Sequence, residues 1–321
     1  MTSRRAGTNR RKATLGVGLV VLAIAVGACG GGSSQAGARV SVSGPPKGDP
    51  MKVLSAAATA TNAVGTARME MLVGFDFSGL PGQAAQNLSM SGTGAFDLAH
   101  KSVQLEMNLG KLAGGKVLRM IVIGTTVYLD TTTLGLTGVK PWITMPTSAT
   151  GSGLDYTQLA QSAFNGTKLL TQLQGVTVVG TETVKTAATT HYRGTLDLGK
   201  ALGALGNSDQ SLSQLGSAGG SIQSALASIN VPVNAWIDGQ DRLRRFTMTM
   251  DLAPMLQSVM GSLGASGQSS PPPPTNLKAS IDLDYTLYDF GASISIAAPP
   301  ATDVGPAPAN FKLPGTSSSP M

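Results

Sequence analysis

The stretch Ala67 to Ser78, "ARMEMLVGFDFS", alternates at every second residue, with Met69, Met71, Val73, Phe75 and Phe77 on one side and Arg68, Glu70, Leu72, Gly74 and Asp76 on the other. A period of two sends successive side chains to opposite faces of an extended chain, so this segment demands a sheet with one apolar face to cover. The demand recurs. Leu88, Met90, Gly92, Gly94 and Phe96 mark a second strand, and Val103, Leu105, Met107 and Leu109 a third. "VLRMIVIGTTVYLDT" predicts two strands around Gly124, and "KPWITMP" a short one carrying Trp142. Further on, "VTVVGTETV", "THYRGTLDL", "VPVNAWID" and "RLRRFTMTMDL" read as strands, the last two a hairpin turning at Gly239-Gln240. "LKASIDLDYTLYDFG" places Leu277, Ala279, Ile281, Leu283, Tyr285 and Leu287 on one side, and a short "SISIAAPP" strand follows. Strands joined by short turns without intervening helices form an antiparallel meander.

Helical spacing is confined to a few places. Asp49-Pro50 offers a cap and a first-turn proline, and Met51, Val53, Leu54, Ala57 and Ala58 follow on one face, predicting a helix over 50–65. Residues 155–174, "DYTQLAQSAFNGTKLLTQLQ", predict a second helix broken near Asn165-Gly166. Two Ser/Gly-rich insertions, 199–229 and 253–275, interrupt the strands; the first reads as loosely helical, and the second ends in "SSPPPP", which belongs in a surface loop. The tail, 301–321, is rich in Pro, Gly and Ser and is expected to be unstructured. The folded part is thus expected to be one domain over 49–300.

The N-terminus carries a different signal. Arg4, Arg5, Arg10, Arg11 and Lys12 precede an uncharged apolar run from Ala13 to Val26, too short for a membrane span of about 20 apolar residues but laid out as a secretory signal. Val26-Gly27-Ala28-Cys29 resembles a bacterial lipobox, in which the cysteine is acylated on sulfur and becomes the new N-terminus; Cys29 is the chain's only cysteine. Residues 1–28 are then the signal peptide. Residues 29–48 are the lipidated Cys29 and a flexible Gly/Ser tether with a reach of roughly 25 Å. No disulfide can form within the chain, so burial and strand pairing must stabilise the domain. Removing the signal takes five basic residues and no acidic ones from totals of 23 Lys+Arg and 17 Asp+Glu, leaving 18 against 17. A near-neutral domain lacks the clustered positive charge of a nucleic-acid footprint; its one basic cluster, Arg242, Arg244 and Arg245, reads as the solvated face of a strand.

No catalytic constellation can be assembled. His100 and His191 stand in unrelated surroundings, outside any metal-ligand spacing, and neither a G-x-S-x-G elbow nor a phosphate-binding G-x-x-x-x-G-K-[ST] loop occurs. His191 reads as an ordinary strand residue, with Arg193, Thr195 and Asp197 on its face. The expectation is a non-enzyme without metal or cofactor. The sheet composition says more: aromatics make up 4% of the chain, while Met, Leu, Val, Ala and Gly are abundant. Such faces either pack against helices as a full core or, being lined by small and pliable side chains, leave an apolar cavity.

The segments "LQGVTVVGTETVKTAATTHYRGTLDL", "VPVNAWIDGQDRLRRFTMTMDL" and "IDLDYTLYDFG" occur in an order that resembles the LppX/LprG-type lipoproteins of mycobacteria and related actinobacteria. The resemblance spans about residues 50–298 and is best from Gly175 onward. It implies an α+β fold of the LolA/LolB kind: a strongly curved antiparallel half-barrel with helices covering its concave face. It further implies binding of a lipid or lipoglycan by its acyl chains, assistance in its transfer across the cell envelope, attachment to the outer face of the cell membrane through Cys29, and a membrane lipid transporter as a partner. The alternative is an envelope adaptor of the same fold with a filled pocket. Alternation, rather than the family, selects the candidate lipid-contacting residues Val73, Phe75, Met90, Met107 and Leu283, and a register slip of one residue would turn each of them away.

Overall fold

The computed structural model describes residues 48–79, 84–133, 135–146, 167–198, 200–201, 229–257 and 276–308. Cys29, the signal and tether, most of both insertions, residues 155–166 of the second predicted helix and the last part of the tail lie outside them.

One helix, α1 (Pro50–Asn62), opens the domain. The Asp49 carboxylate accepts the Met51 N–H at 2.9 Å, and Pro50 occupies a position where no N–H is needed. It ends at Asn62, three residues short of the sequence expectation. Leu54, Ala57, Ala58 and Thr61 form its buried face. The strands are β1 (Thr66–Ser78), β2 (Gln86–Asp97), β3 (Ser102–Asn108), β4 (Val117–Ile123), β5 (Thr126–Asp130), β6 (Trp142–Pro146), β7 (Leu173–Val184), β8 (Ala187–Asp197), β9 (Asn230–Asp238), β10 (Leu243–Asp251), β11 (Lys278–Tyr288) and β12 (Val304–Pro306). They make one open, strongly curved sheet in the order β12-β6-β5-β4-β3-β2-β1-β11-β10-β9-β8-β7. Every pairing is antiparallel except β12 with β6. Two meanders, β1 to β6 and β7 to β11, are therefore sewn together by β1 and β11, which pair from Arg68↔Tyr288 to Ser78↔Lys278 without a slip.

Three expectations are corrected. Residues 173–174, placed at the end of a helix, already belong to β7, and only a single helical turn, 167–170, precedes it among the described residues. The "SISIAAPP" segment pairs with nothing as a strand. Instead the tail, expected to be unstructured from 301, begins with a 3-10 turn (Ala301–Asp303) and β12, pinned by Lys140 Nζ donating to Thr302 O at 2.8 Å. A three-residue edge strand ending in Pro306 leaves little backbone exposed for further pairing.

Alternation buries one face throughout. Met69, Met71, Val73 and Phe75 of β1 join Phe96, Leu105, Met120, Val122, Val127, Leu129 and Ile143 on one side, and Leu283, Tyr285, Leu287, Phe246, Met248, Met250, Val231 and Val233 on the other, in one apolar cluster that also holds Leu54 and Ala57. Helix α1 is thus packed on the apolar face, where Thr61 Oγ1 also accepts the Leu243 N–H at 2.8 Å. Helical cover among the described residues is otherwise limited to short helical stretches at 167–170, at 198 and 200–201, and at 253–257, of which Leu198 and Ala201 join the same apolar cluster. Gly92 and Gly94 on this face allow a close approach of neighbouring strands: a β-carbon at Gly92 would lie 2.4 Å from Glu106 O. Glycine at such points is how a sheet coils tightly.

Candidate functional site

The apolar face is ordered by register. Val73 stands between Met90 of β2 and Leu283 of β11, and Leu283 in turn faces Met248. Phe75 lies one step further along β1, between Leu88 and Ile281. Met107 faces Gly92, two residues from Met90, with Leu118 beyond it. The five candidates from alternation, Val73, Phe75, Met90, Met107 and Leu283, therefore share one face within a few strand spacings. Val73, Phe75 and Leu283 are buried, while Met90 and Met107 are half-buried.

Exposure on this face is graded along the strands, for a geometric reason. β3 stops at Asn108, opposite Ser91, so the earlier residues of β2 have no β3 neighbour. Leu88, Met90, Met107, Leu118, Phe77 and Ile281 are accordingly half-buried, whereas Met69, Phe96, Leu129, Ile143 and Leu287, toward the other end, are closed off. The face is rich in sulfur: Met69, Met71, Met90, Met107, Met120, Met145, Met248 and Met250 belong to it or pack against it. Unbranched thioether chains adapt to irregular apolar shapes. Two phenols are buried on it, Tyr192 and Tyr285; Tyr285 sits between Met71 and Phe246, and burial pushes its ionisation far above the ordinary tyrosine range. Met248, Met250 and Leu88 were missed as candidates, although the alternation of "FTMTM" and "QNLSM" carries them.

The other face holds the polar side chains. His191 is 6% exposed and stacks on Trp236, ring centroids 4.3 Å apart and planes 17° from parallel. Its Nδ1 is 2.9 Å from Glu182 Oε1 and its Nε2 is 3.0 Å from Asn234 Oδ1. Trp236 donates to Glu182 Oε2 at 2.9 Å, and Arg245 also lies over the Trp236 ring at 4.8 Å while forking onto Asp284. Asp284 holds the Arg245 guanidinium above its ordinary range. With both ring nitrogens engaged and one ring face stacked, His191 ties β7, β8 and β9 together. Lys185, at the tip between β7 and β8, bonds Glu70 of β1 and lies over the Tyr288 ring, so the hairpin reaches across this face.

The basic cluster departs from expectation. Arg242 and Arg244 are mostly buried, both bond the Asp238 carboxylate, and both lie over the Phe290 ring at 4.9 and 4.4 Å. A register shift between Leu243 and Arg245 is the cause: the bulge adds Arg244 to the side already taken by Arg245. His100 is an exposed turn residue bonded to Asp97 at 2.6 Å, and that bond, foremost, lowers the Asp97 carboxyl. Among the described residues no group of three or more His, Cys, Asp or Glu could hold a metal ion, and no helix is long and apolar enough to cross a membrane.

No protein-family model and no curated protein matches the chain. Solved structures do. The chain is similar to LprF from Mycobacterium bovis, at 16% identity over 78% of this chain and 96% of that one, with a TM-score of 0.40. It is similar to the lipoprotein LppX from Mycobacterium tuberculosis, at 13% identity over 77% and 97% of the two chains, TM-score 0.40. A LolA-superfamily protein from Nitrosomonas europaea follows at 9% identity, 79% and 96% coverage and a TM-score of 0.24. The solved structures this chain is similar to thus include two mycobacterial proteins, LprF and the lipoprotein LppX, and a LolA-superfamily protein.

Proposed function

We propose that this chain is a non-catalytic, membrane-anchored lipoprotein that binds the acyl chains of a lipid or lipoglycan on the apolar face of its sheet and assists their transfer across the cell envelope. The observation that carries the reading is the half-exposed stretch of that face, where Leu88, Met90, Met107, Leu118 and Ile281 continue a buried apolar surface that offers almost no polar partner. Water is a poor neighbour for such a strip, and each Å² of acyl chain laid on it gains about 25 cal/mol. Anchorage is read from the sequence at Cys29, where two or more acyl chains would hold the protein on a membrane that a single chain would not.

The test is native mass spectrometry of the chain from Gly30 onward, purified from a lipid-making host. This form carries every described helix and strand. Co-purified acyl lipid, reduced in Met90→Glu and Met107→Glu variants that keep the parent circular dichroism, supports the reading. A reproducibly lipid-free parent that also takes up no added acyl lipid overturns it. That outcome would favour the second reading, an envelope adaptor with a filled pocket, which the burial of Val73, Phe75 and Leu283 supports.

A further inference from the structure

The strands of the N-terminal meander that stop short leave two loops at the same end of the sheet. Residues 109–116 join β3 to β4, and residues 131–141 join β5 to β6. Both leave the sheet just beyond the row in which Glu106 faces Arg119 and Asp130 faces Trp142, beside the half-buried Met107 and Leu118. The first loop closes on β2: Gly110, at φ 53°, sits so tightly that a β-carbon there would lie 2.2 Å from Ser89 O, between Leu88 and Met90. The two loops also meet, since a β-carbon on Gly135 would stand 3.7 Å from Lys116 Nζ.

Among the described residues each loop presents one large apolar side chain to solvent, Leu112 at 44% and Leu136 at 39% exposure. Beside them are Lys111 and Lys116, both exposed, while Lys140 donates to Thr302 O, and neither loop contains an acidic residue. Two carboxylates of the adjoining strands are occupied: Asp130 is buried and accepts from Thr132, and Glu106 accepts from Arg119 at 2.8 Å. Exposed leucines beside lysines, in loops whose own sequence is free of Asp and Glu, match the interface of a bilayer that carries negative head groups.

We propose that the loops carrying Leu112 and Leu136 form a docking surface for an anionic phospholipid bilayer, with the two leucines entering the interface and Lys111 and Lys116 meeting the phosphates. The purpose of this surface rests on the lipid-binding reading above: docking would bring the half-exposed end of the apolar face to the bilayer, so that an acyl chain could pass without crossing water. The surface is distinct from the attachment at Cys29, which fixes the chain to a membrane but does not orient it.

The test is flotation of the chain from Gly30 onward with vesicles of phosphatidylcholine, pure or with about one third phosphatidylglycerol. The parent should float with the anionic vesicles and much less with the neutral ones, and added salt should reduce the difference. Leu112→Asp with Leu136→Asp should lower the bound fraction about tenfold. Reversing Lys111 and Lys116 to Glu should weaken partition roughly fivefold per residue or more on anionic vesicles alone. Leu72→Asp, at the 51% exposed leucine of the polar face, should float as the parent does. Circular dichroism of each variant guards against unfolding. A parent that does not float, or a Leu112/Leu136 variant that floats equally well, overturns the docking surface. Co-purified lipid without flotation would do so while leaving lipid binding intact, and flotation of a protein that binds no lipid would do the reverse.

Discussion

Gly92→Ala is the sharpest probe of how this sheet is built. The added methyl group would lie 2.4 Å from Glu106 O and 3.0 Å from Met107 Cα. Ordinary contact needs about 3.5 Å, so β2 and β3 must separate by roughly 1 Å. The obstructing atom is backbone and cannot rotate aside, which places the cost near the top of the overpacking range, about 3 kcal/mol. Removing glycine's excess freedom in the unfolded chain returns about 0.5–1 kcal/mol. A net loss of about 2 kcal/mol corresponds to a fall in Tm of roughly 4–8 °C for a domain of this size. Gly74→Ala is the matched control, because its nearest neighbour is Asp282 Cβ at 3.6 Å, an ordinary contact. It should raise Tm by about 1–2 °C. Gly94→Ala should fall between the two, since its closest neighbour, Met69 Cγ at 2.9 Å, can move. Thermal unfolding followed by far-ultraviolet circular dichroism measures all three. A Gly92→Ala protein that melts with the parent, or a Gly74→Ala protein as damaged as Gly92→Ala, would refute the reasoning.

Other outcomes follow from the buried ionisable groups and the N-terminus. Burial works to raise the Asp238 carboxyl, but the Arg242 N–H, the Arg242 and Arg244 guanidinium groups and the Gln240 N–H together outweigh it and hold it below its ordinary value. Its contribution is complete above the ordinary carboxylate range, roughly pH 4, and is lost as pH falls toward the depressed native value. Asp238→Asn should therefore cost about 3 kcal/mol at pH 7 by leaving two guanidinium groups under-paired, and flatten the acid limb of a stability–pH profile measured by urea melts. Tyr285, raised by burial, keeps its proton until the fold opens, so a spectrophotometric alkaline titration should show a late component coincident with loss of circular dichroism that Tyr285→Phe reduces by one phenol. Cys29→Ala should abolish incorporation of labelled acyl chains and release the protein from the membrane fraction; a mutant that fractionates as the parent does would argue against acylation there.

The strands were legible because their faces differ so strongly in water. Met69 to Phe77 and Leu277 to Leu287 could be assigned to one face from alternation alone, and their neighbour relationship puts Val73 beside Leu283 as a shared face requires. Where local pattern and tertiary packing diverge, sequence was a poor guide. Arg242, Arg244 and Arg245 read as a solvated strand because a bulge is invisible to a period-two count, and because the ring that covers two of them, Phe290, is far away in the chain. The stacking of His191 on Trp236 likewise depends on which strands become neighbours, as β8 and β9 do across a long insertion. β12 was missed because three residues carry no measurable period, and its partner, β6, lies far earlier in the chain. Gly92 and Gly94 were placed on the right face, but the pattern could not tell that the space beside them is filled by another strand's backbone.

The seam between β1 and β11 also sets the order in which the molecule can assemble. The first meander can zip from its own turns, while the second must also close two long insertions, between β8 and β9 and between β10 and β11; β1 must wait for a partner roughly two hundred positions later in the sequence. Until β11 arrives, the first meander carries an open edge whose backbone groups have no mate and whose apolar side is only partly shielded. Closing that gap is slow by chain statistics alone, and it falls to the last long strand to be made. The molecule is therefore most exposed to mispairing late in folding, and a chain cut before residue 278 would be left as two unfinished halves with no way to join.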